Sequence, residues 1–182
     1  MEPMGGREGP HPAVRGGRQP LHGHGHVLRL ARDLDDLEER LFVGLEEEGV
    51  RYVDTDYQEP AELVSIADID GEILAADVEG LTLYIKDSAG YLVVSSQGNN
   101  SYAIYDRMPP FTYRGSFIVG PDLKAQIDGT QETDGISISS ELRTREFPDG
   151  ILVVQDGINT MPQERQNFKY VSWESISQAI DF

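Results

Sequence analysis

Residues 77–119 alternate apolar and polar side chains in short runs that are separated by glycine, asparagine and proline. Such period-2 alternation is typical of strands with one buried face, and those three residue types are typical of the turns between strands. Short loops between successive strands favour antiparallel pairing. The pattern therefore predicts a four-stranded antiparallel meander, with strands near residues 80–85, 91–96, 101–106 and 113–119.

Similar units recur along the chain. Apolar segments that begin at Leu41, Tyr91 and Ile151 are each followed by a polar turn and a further apolar segment, and their starts are 50 and 60 residues apart. Repeats of this length, made of four short strands, are the signature of β-propeller blades. The predicted fold class is all-β, a partial β-propeller of about three four-stranded blades. The corresponding blades are residues 33–68, 69–122 and 123–182.

The first part of the chain departs from this repeat. Residues 1–32 are rich in Gly and Pro and hold five Arg and two Glu, whereas residues 33–182 hold ten Lys and Arg and thirty Asp and Glu. A segment of that composition has too little apolar surface for a packed core. We therefore expect a disordered or mispredicted head over residues 1–32 and a propeller-like domain over residues 33–182. No apolar stretch follows the Arg residues, so the head does not predict a secretory signal peptide.

Two short segments have features of helices. Leu30, Leu34 and Leu37 recur at helical spacing near the start of the domain. Residues 172–180 predict a short terminal helix with Ser172 as its N-cap and Glu174 in its first turn.

The composition limits the function. The chain has 182 residues, 38% of them hydrophobic, no cysteine and a formal net charge of -17 at pH 7. Without cysteine there is neither a disulfide nor thiol chemistry, and no apolar run approaches the ~20 residues of a membrane helix. The negative charge disfavours binding to nucleic acid or to an anionic membrane. The acidic residues therefore have two interpretations, a solvated acidic surface or a set of sites for hard cations.

The positions of the acidic residues favour cation sites. In a propeller the first strand of each blade is innermost, so an acid at its start in successive blades places carboxylates around one end of the central channel. Close like charges raise one another's pKa or bind a counter-cation, and oxygen ligands in flexible turns suit Ca²⁺. The residues of this character are Glu46, Asp77, Glu79, Asp128, Asp134, Gln155 and Asp156.

Three longer motifs resemble those of the β-propeller phytases. They are ADVEGLTLY at residues 76–84, SSQGNNSYAIYDR at 95–107 and IDGTQETDGI at 127–136. Shorter motifs follow in the family's order: VQDG at 154–157, QNFK at 166–169 and VSWE at 171–174. The resemblance is specific from about residue 68 to the end and fainter over residues 33–67. For residues 27–39 it implies a strand and a turn, in conflict with the helical spacing.

The resemblance implies a calcium-dependent 3-phytase with a six-bladed fold. In that family Ca²⁺ ions at one mouth of the channel hold substrate phosphates, and a metal-activated water releases phosphate from phytate or another phosphomonoester. By resemblance, Glu46 and Glu79 serve the catalytic calcium cluster, with Asp77 beside them. The other residues, implied as calcium ligands at the channel end, are Asp128, Asp134, Gln155 and Asp156. The resemblance also implies an extracellular or periplasmic location.

The chain departs from the family pattern as well. It resembles only the C-terminal half of the family, whose upstream blades supply the Lys, Arg and Tyr residues that bind phosphate, so substrate-binding residues stay unassigned here. Leu30 and Ala31 stand where the family has a Glu-Gly pair, and Leu45 stands at the first Glu of the acidic turn. We therefore expect a truncated phytase that is weakly active or inactive alone. Its open blade edges are expected to allow self-association.

Two other functions stay open at this point. One is a non-catalytic, calcium-binding β-propeller remnant, which keeps metal sites without hydrolysing phosphate esters. The other is a different propeller hydrolase, such as a calcium lactonase, which shares the acidic channel but not these motifs. Phosphate release from phytate, measured with and without Ca²⁺, discriminates between a phytase and a non-catalytic remnant.

Overall fold

The computed structural model describes residues 30–56 and 62–181. Over these residues the chain forms three antiparallel sheets and one α-helix. In chain order the strands are β1 (Leu30–Asp35), β2 (Arg40–Leu45), β3 (Gly49–Asp54), β4 (Val64–Asp68), β5 (Val78–Lys86), β6 (Ala89–Ser96), β7 (Ser101–Asp106), β8 (Tyr113–Phe117), β9 (Ile136–Ser139), β10 (Ile151–Asp156) and β11 (Asn167–Ser172). The helix α1 spans Trp173–Ile180.

Each sheet is a meander in which consecutive strands pair. The first sheet has the order β1-β2-β3-β4, the second β5-β6-β7-β8 and the third β11-β10-β9. The second sheet confirms the four strands predicted between residues 80 and 119, and a single 3₁₀ turn, Gln97–Asn99, joins β6 to β7. The all-β class and the partial propeller are therefore confirmed.

The third sheet differs from the expectation of four strands in every blade, because three strands are found there within the described residues. After β11 the chain turns directly into α1, which packs against β8 and β11. A Cβ on Gly115 of β8 would lie 2.8 Å from Ile180 Cγ2, so glycine allows the end of the helix to lie on the strand. The terminal segment thus covers the second sheet instead of extending the third.

The two helical expectations have different outcomes. The spacing of Leu30, Leu34 and Leu37 is wrong as a helix signal, because Leu30–Asp35 is a strand that pairs with β2. The terminal helix is confirmed, and Ser172 is its N-cap residue, but the Ser172 side chain makes no capping hydrogen bond. Instead the Trp173 N–H donates to the Gly150 carbonyl at 3.1 Å. No α-helix within the described ranges is long and apolar enough to span a bilayer.

The domain boundary stays a prediction. Strand β1 begins at Leu30, inside the segment assigned to the head, while residues 1–29 lie outside the described residues.

The first strands of the three sheets lie next to one another, as the propeller geometry requires. Strand β5 packs against β1 on one side and against β9 on the other. Side chains join them, because the Leu83 N–H donates to Asp33 Oδ2 at 2.9 Å and the Ile138 N–H donates to Thr82 Oγ1 at 3.0 Å. A Cβ on Gly80 would lie 3.0 Å from Ile136 Cγ1, so glycine permits the close approach of β5 and β9. These strands run in the same direction, which brings their starts to one end of the molecule.

Two apolar layers fill the spaces between sheets. The layer between the first and second sheets contains Phe42, Val50, Leu74, Val78, Leu81, Leu83, Leu92, Val94, Ala103, Tyr105 and Phe111. The layer between the second and third sheets contains Tyr84, Val93, Tyr102, Ile104, Leu152, Val154, Trp173 and Ile176. In the second layer the Trp173 ring stacks on Tyr84 with centroids 4.0 Å apart, so α1 is anchored by an aromatic contact.

A buried arginine joins the first two sheets. Arg107, which follows β7, has no exposed surface, and its Nε donates to Asp35 Oδ2 at 2.5 Å. Its Nη1 donates to the Ala89 carbonyl at 2.6 Å, and its Nη2 lies 3.4 Å from Glu38 Oε1. Asp35 is also fully buried, so the pair is an ion pair of the interior that crosses the boundary between sheets.

Candidate metal centre

Three carboxylates meet where β5 begins. Alternation along the strand buries Val78 between Asp77 and Glu79, whose side chains are half-buried on the opposite face. Glu46 comes from the turn between β2 and β3, and its carbonyl accepts the Val78 N–H at 3.1 Å. One carboxylate oxygen from each of Glu46, Asp77 and Glu79 lies within 4.8 Å of the others. We call these three residues the acidic cluster.

The turn after β6 holds the backbone of the acidic cluster. Ser96 Oγ accepts the Ala75 N–H at 2.8 Å and donates to the Ala75 carbonyl at 3.2 Å. The Gln97 N–H donates to the Asp77 carbonyl at 2.9 Å. A Cβ on Gly98 would lie 2.0 Å from the Ala76 carbonyl oxygen, so only glycine fits there. The SSQG sequence thus positions the segment that carries Asp77 and Glu79.

The third sheet contributes Asp134 to the edge of this cluster. Asp134 lies just before β9 and is exposed, and its N–H donates to Gln155 Oε1 at 2.8 Å. Gln97 Nε2 donates to Asp134 Oδ1 at 2.9 Å and to Glu79 Oε2 at 3.0 Å. The structure therefore brings Asp134 and Gln155 near the acidic cluster through Gln97, a residue that the sequence did not identify as part of the site.

The electrostatics of Glu79 reflect this crowding. Burial disfavours its charged form, and the neighbouring carboxyls of Asp134 and Glu46 add to the effect, which together raise the pKa of Glu79 to about 8. A cation bound among these oxygens would offset the repulsion that causes the shift.

Asp128 and Asp156 lie elsewhere, around a buried lysine. Lys169 Nζ on β11 donates to Asp128 Oδ1 at 2.5 Å and lies 3.2 Å from Asp156 Oδ2. All three residues are buried. Asp156 Oδ1 also accepts the Gln131 N–H at 3.1 Å. We call Asp128, Asp156 and Lys169 the lysine pocket.

Asp128 has further donors. Its Oδ2 accepts hydrogen bonds from the Thr160 N–H, from Thr160 Oγ1 at 2.9 Å and from the Met161 N–H at 3.2 Å. Burial alone would raise the pKa of Asp128, but the hydrogen bonds from Lys169 and Thr160 outweigh burial and hold that pKa well below its usual range. Burial lowers the pKa of Lys169, but its hydrogen bonds with Asp128 and Asp156 outweigh burial and raise that pKa above its usual value. The lysine pocket is thus a buried ion-pair site in which one ammonium group lies between two carboxylates.

Sequence reasoning gave no role to Lys169, although a signal was present. On β11 the large rings of Phe168 and Tyr170 are exposed while Lys169 between them is buried, which reverses the usual pattern of a strand. A lysine in an inward position needs a buried acid, because a buried charge is stable only when it is paired. The chain offers two in Asp128 and Asp156.

The donor set of the acidic cluster suits a hard cation. The three side chains offer carboxylate oxygens, which Ca²⁺ binds in flexible arrangements of 6–8 oxygens. Neither sulfur nor imidazole belongs to the group, so the set does not favour Zn²⁺ or copper. The chemistry of the residues therefore fits the calcium that the phytase resemblance implies.

Comparisons with known proteins agree with this architecture. A profile of the family described as Phytase matches residues 30–182. The chain is 46% identical over 113 residues to a protein named 3-phytase from Bacillus subtilis (strain 168). That alignment covers 60% of this chain and 29% of the relative, so the aligned region spans less than a third of the relative's length. The chain therefore belongs to the phytase family, and its three sheets are blades of a partial β-propeller.

Proposed function

We propose that this chain forms part of a calcium-dependent phytase, in which Glu46, Asp77 and Glu79 hold Ca²⁺ for the hydrolysis of phytate or another phosphomonoester. The observation that carries the proposal is the convergence of three carboxylates from two sheets within 4.8 Å. The family match and the relative named 3-phytase support the reaction class. They also favour a phytase over a different propeller hydrolase such as a calcium lactonase.

The residues of the chain have distinct tasks in this proposal. The acidic cluster binds Ca²⁺, and residues 75–77, held by Ser96 and Gln97, keep its backbone in place. Ca²⁺ when bound supplies positive charge that offsets the charge of a phosphate ester and lowers the pKa of a nearby water. Asp134 stands at the edge of the cluster and is proposed as a ligand at the channel end, together with Gln155. Asp128 and Asp156 are less favoured as calcium ligands, because Lys169 pairs with both.

We also propose that the 182-residue chain alone hydrolyses phytate weakly. Phytate is densely anionic and the chain carries a net charge of -17, so the two repel each other. Several of its cations are already paired with its own acids: Lys169 with Asp128, Arg107 with Asp35, Arg114 with Asp106 and Arg51 with Asp68. Phosphoryl transfer needs fixed positive groups at the transferring phosphate, which these side chains do not supply.

The same pairing of cations favours a second candidate, a non-catalytic calcium-binding module. In that case the acidic cluster binds Ca²⁺ and stabilises the blades without hydrolysis. An extracellular or periplasmic location and self-association through open blade edges stay proposals that rest on the family and on the exposed apolar side chains of Phe168 and Tyr170.

Phosphate release from phytate tests the proposal. The purified chain is assayed with Ca²⁺ and with EGTA, beside Glu79→Gln and the control Glu164→Gln, which makes the same change at an exposed position. We expect slow release that requires Ca²⁺, survives in the control and disappears in Glu79→Gln. If calorimetry shows heat of Ca²⁺ binding but no phosphate is released from phytate, the result would favour the non-catalytic module. A folded wild-type chain that binds no Ca²⁺ and releases no phosphate contradicts both.

A further inference from the structure

Gln97 occupies a special place in the turn after β6. Its side-chain amide has two N–H donors, and Nε2 donates to Glu79 Oε2 at 3.0 Å and to Asp134 Oδ1 at 2.9 Å. Glu79 belongs to the second sheet, whereas Asp134 precedes the first strand of the third. One amide group therefore joins carboxylates that come from two blades.

The main chain of this turn is fixed on the same segment that carries the acids. The Gln97 N–H donates to the Asp77 carbonyl at 2.9 Å, so Gln97 contacts Asp77 through its backbone and Glu79 through its side chain. Ser96 before it is fully buried and bonded to Ala75, and Gly98 after it lies against the Ala76 carbonyl. Because the neighbours of Gln97 on both sides are fixed, the Gln97 amide is held at one position between the two carboxylates.

A neutral amide acts on carboxylates differently from a lysine. In the lysine pocket an ammonium group lies between two acids and offsets one of their two negative charges. The Gln97 amide orients Glu79 and Asp134 by hydrogen bonds without adding a positive charge beside them, so their oxygens stay available to a metal ion. Hydrogen-bond donors of this kind behind metal-binding carboxylates set ligand orientation and affinity.

We propose that Gln97 is a positioning residue of the calcium site, which orients the Glu79 carboxylate and brings Asp134 of the third sheet into the same site as a further oxygen ligand. The inference rests on the proposed function, since it concerns the same metal. It assigns to the SSQG turn a task in metal binding besides its packing in the fold. It also predicts that the site is shared by all three sheets, through Glu46, Glu79 and Asp134.

A double-mutant cycle on the full chain tests this. Gln97→Ala, Asp134→Ala and the double variant are titrated with Ca²⁺ by calorimetry, beside Gln178→Ala, which removes an exposed glutamine amide from α1. We expect Gln97→Ala to weaken Ca²⁺ binding by on the order of 10–100-fold, and Gln178→Ala to change it less than twofold. The double variant should lose less affinity than the product of the single losses, because both changes remove one bridge.

A purely structural role for Gln97 gives a different pattern. The melting temperature of the EGTA-treated protein would then fall in Gln97→Ala, the loss of Ca²⁺ affinity would be small, and the effects of Gln97→Ala and Asp134→Ala would multiply. That pattern overturns the inference. If the wild type binds Ca²⁺, Glu79→Gln abolishes binding and Gln97→Ala does not weaken it, this inference alone fails. If the folded wild type binds no Ca²⁺, the proposed calcium site fails and the inference falls with it.

Discussion

The acidic cluster and the lysine pocket look alike in sequence and have different surroundings in the fold. Both contain acids that stand near glycine in the sequence, and the acids of both are predicted calcium ligands. In the lysine pocket, Lys169 lies between Asp128 and Asp156 in a buried ion pair. In the acidic cluster the carboxylate oxygens face one another within 4.8 Å, and Gln97 donates to one of them. A carboxylate that faces an ammonium group is therefore part of an interior ion pair, whereas a carboxylate that faces other carboxylates is a candidate metal ligand.

Removal of the lysine should have the largest effect on stability. Lys169→Met leaves Asp128 and Asp156 buried without their cation, and breaking a buried pair in this way lowers the free energy of unfolding by about 3–5 kcal/mol. Urea denaturation in EGTA measures the loss, with the exposed Lys124→Met as the control. A loss below about 1 kcal/mol would show that the pair is not an interior one. Stabilisation of Lys169→Met by Ca²⁺ beyond that of the wild type would show that the pocket also binds metal.

The second-largest effect should be the loss of the stabilisation that bound Ca²⁺ gives to the fold. A ligand that binds only the folded state at 100 times its Kd stabilises by about 2.7 kcal/mol, so Ca²⁺ should raise the Tm of the wild type. Glu79→Gln should remove this increase, because it replaces a carboxylate of the acidic cluster with an amide. Thermal melts at several Ca²⁺ concentrations measure the effect. If Ca²⁺ raises the Tm of Glu79→Gln as much as that of the wild type, the metal binds outside the acidic cluster.

Acid should act on the lysine pocket through Asp128. The folded-state pKa of Asp128 is lowered relative to its ordinary value of 3.8, so this carboxylate stabilises the fold above pH 3.8 and loses that contribution as pH falls below it. Below pH 3.8 the free energy of unfolding of Asp128→Asn should therefore depend less steeply on pH than that of the wild type. The difference in slope should correspond to at most one bound proton. Denaturation at several acidic pH values measures the slope. The exposed Asp87→Asn serves as the control, and an equal flattening there would contradict the assignment.

The smallest effect is expected from an acid beside the cluster. Glu46, Glu47 and Glu48 are consecutive, but only Glu46 joins Asp77 and Glu79, and its two neighbours are exposed. Glu47→Gln should change Ca²⁺ affinity less than twofold although it removes the same charge as Glu46→Gln. Calorimetric titration of both variants tests whether position or net charge determines binding, and equal losses would favour net charge.

Much of the fold could be predicted from local patterns. Alternation and turn residues predicted the second sheet because each strand follows its neighbour by a few residues. The same alternation placed Asp77 and Glu79 on one face, so their shared location could be predicted as well. The spacing of Leu30, Leu34 and Leu37 misled because pairing with β2 overrides a short helical pattern. Asp128 and Lys169 are 41 residues apart in the chain, and their pairing depends on how β11 docks, which no local pattern contains.

The buried pair of Arg107 and Asp35 has a consequence for cooperativity. In repeat proteins each unit is coupled mainly to its neighbours, so units can open one at a time. Separation of the first sheet from the second would break the bonds of the Arg107 guanidinium to Asp35 and Glu38, which disfavours an intermediate with only these two sheets apart. The first two sheets should therefore open together, as one unit in amide hydrogen exchange. The third sheet is joined to the second by apolar contacts, hydroxyl hydrogen bonds and the half-exposed Gln97 amide, so it should exchange first.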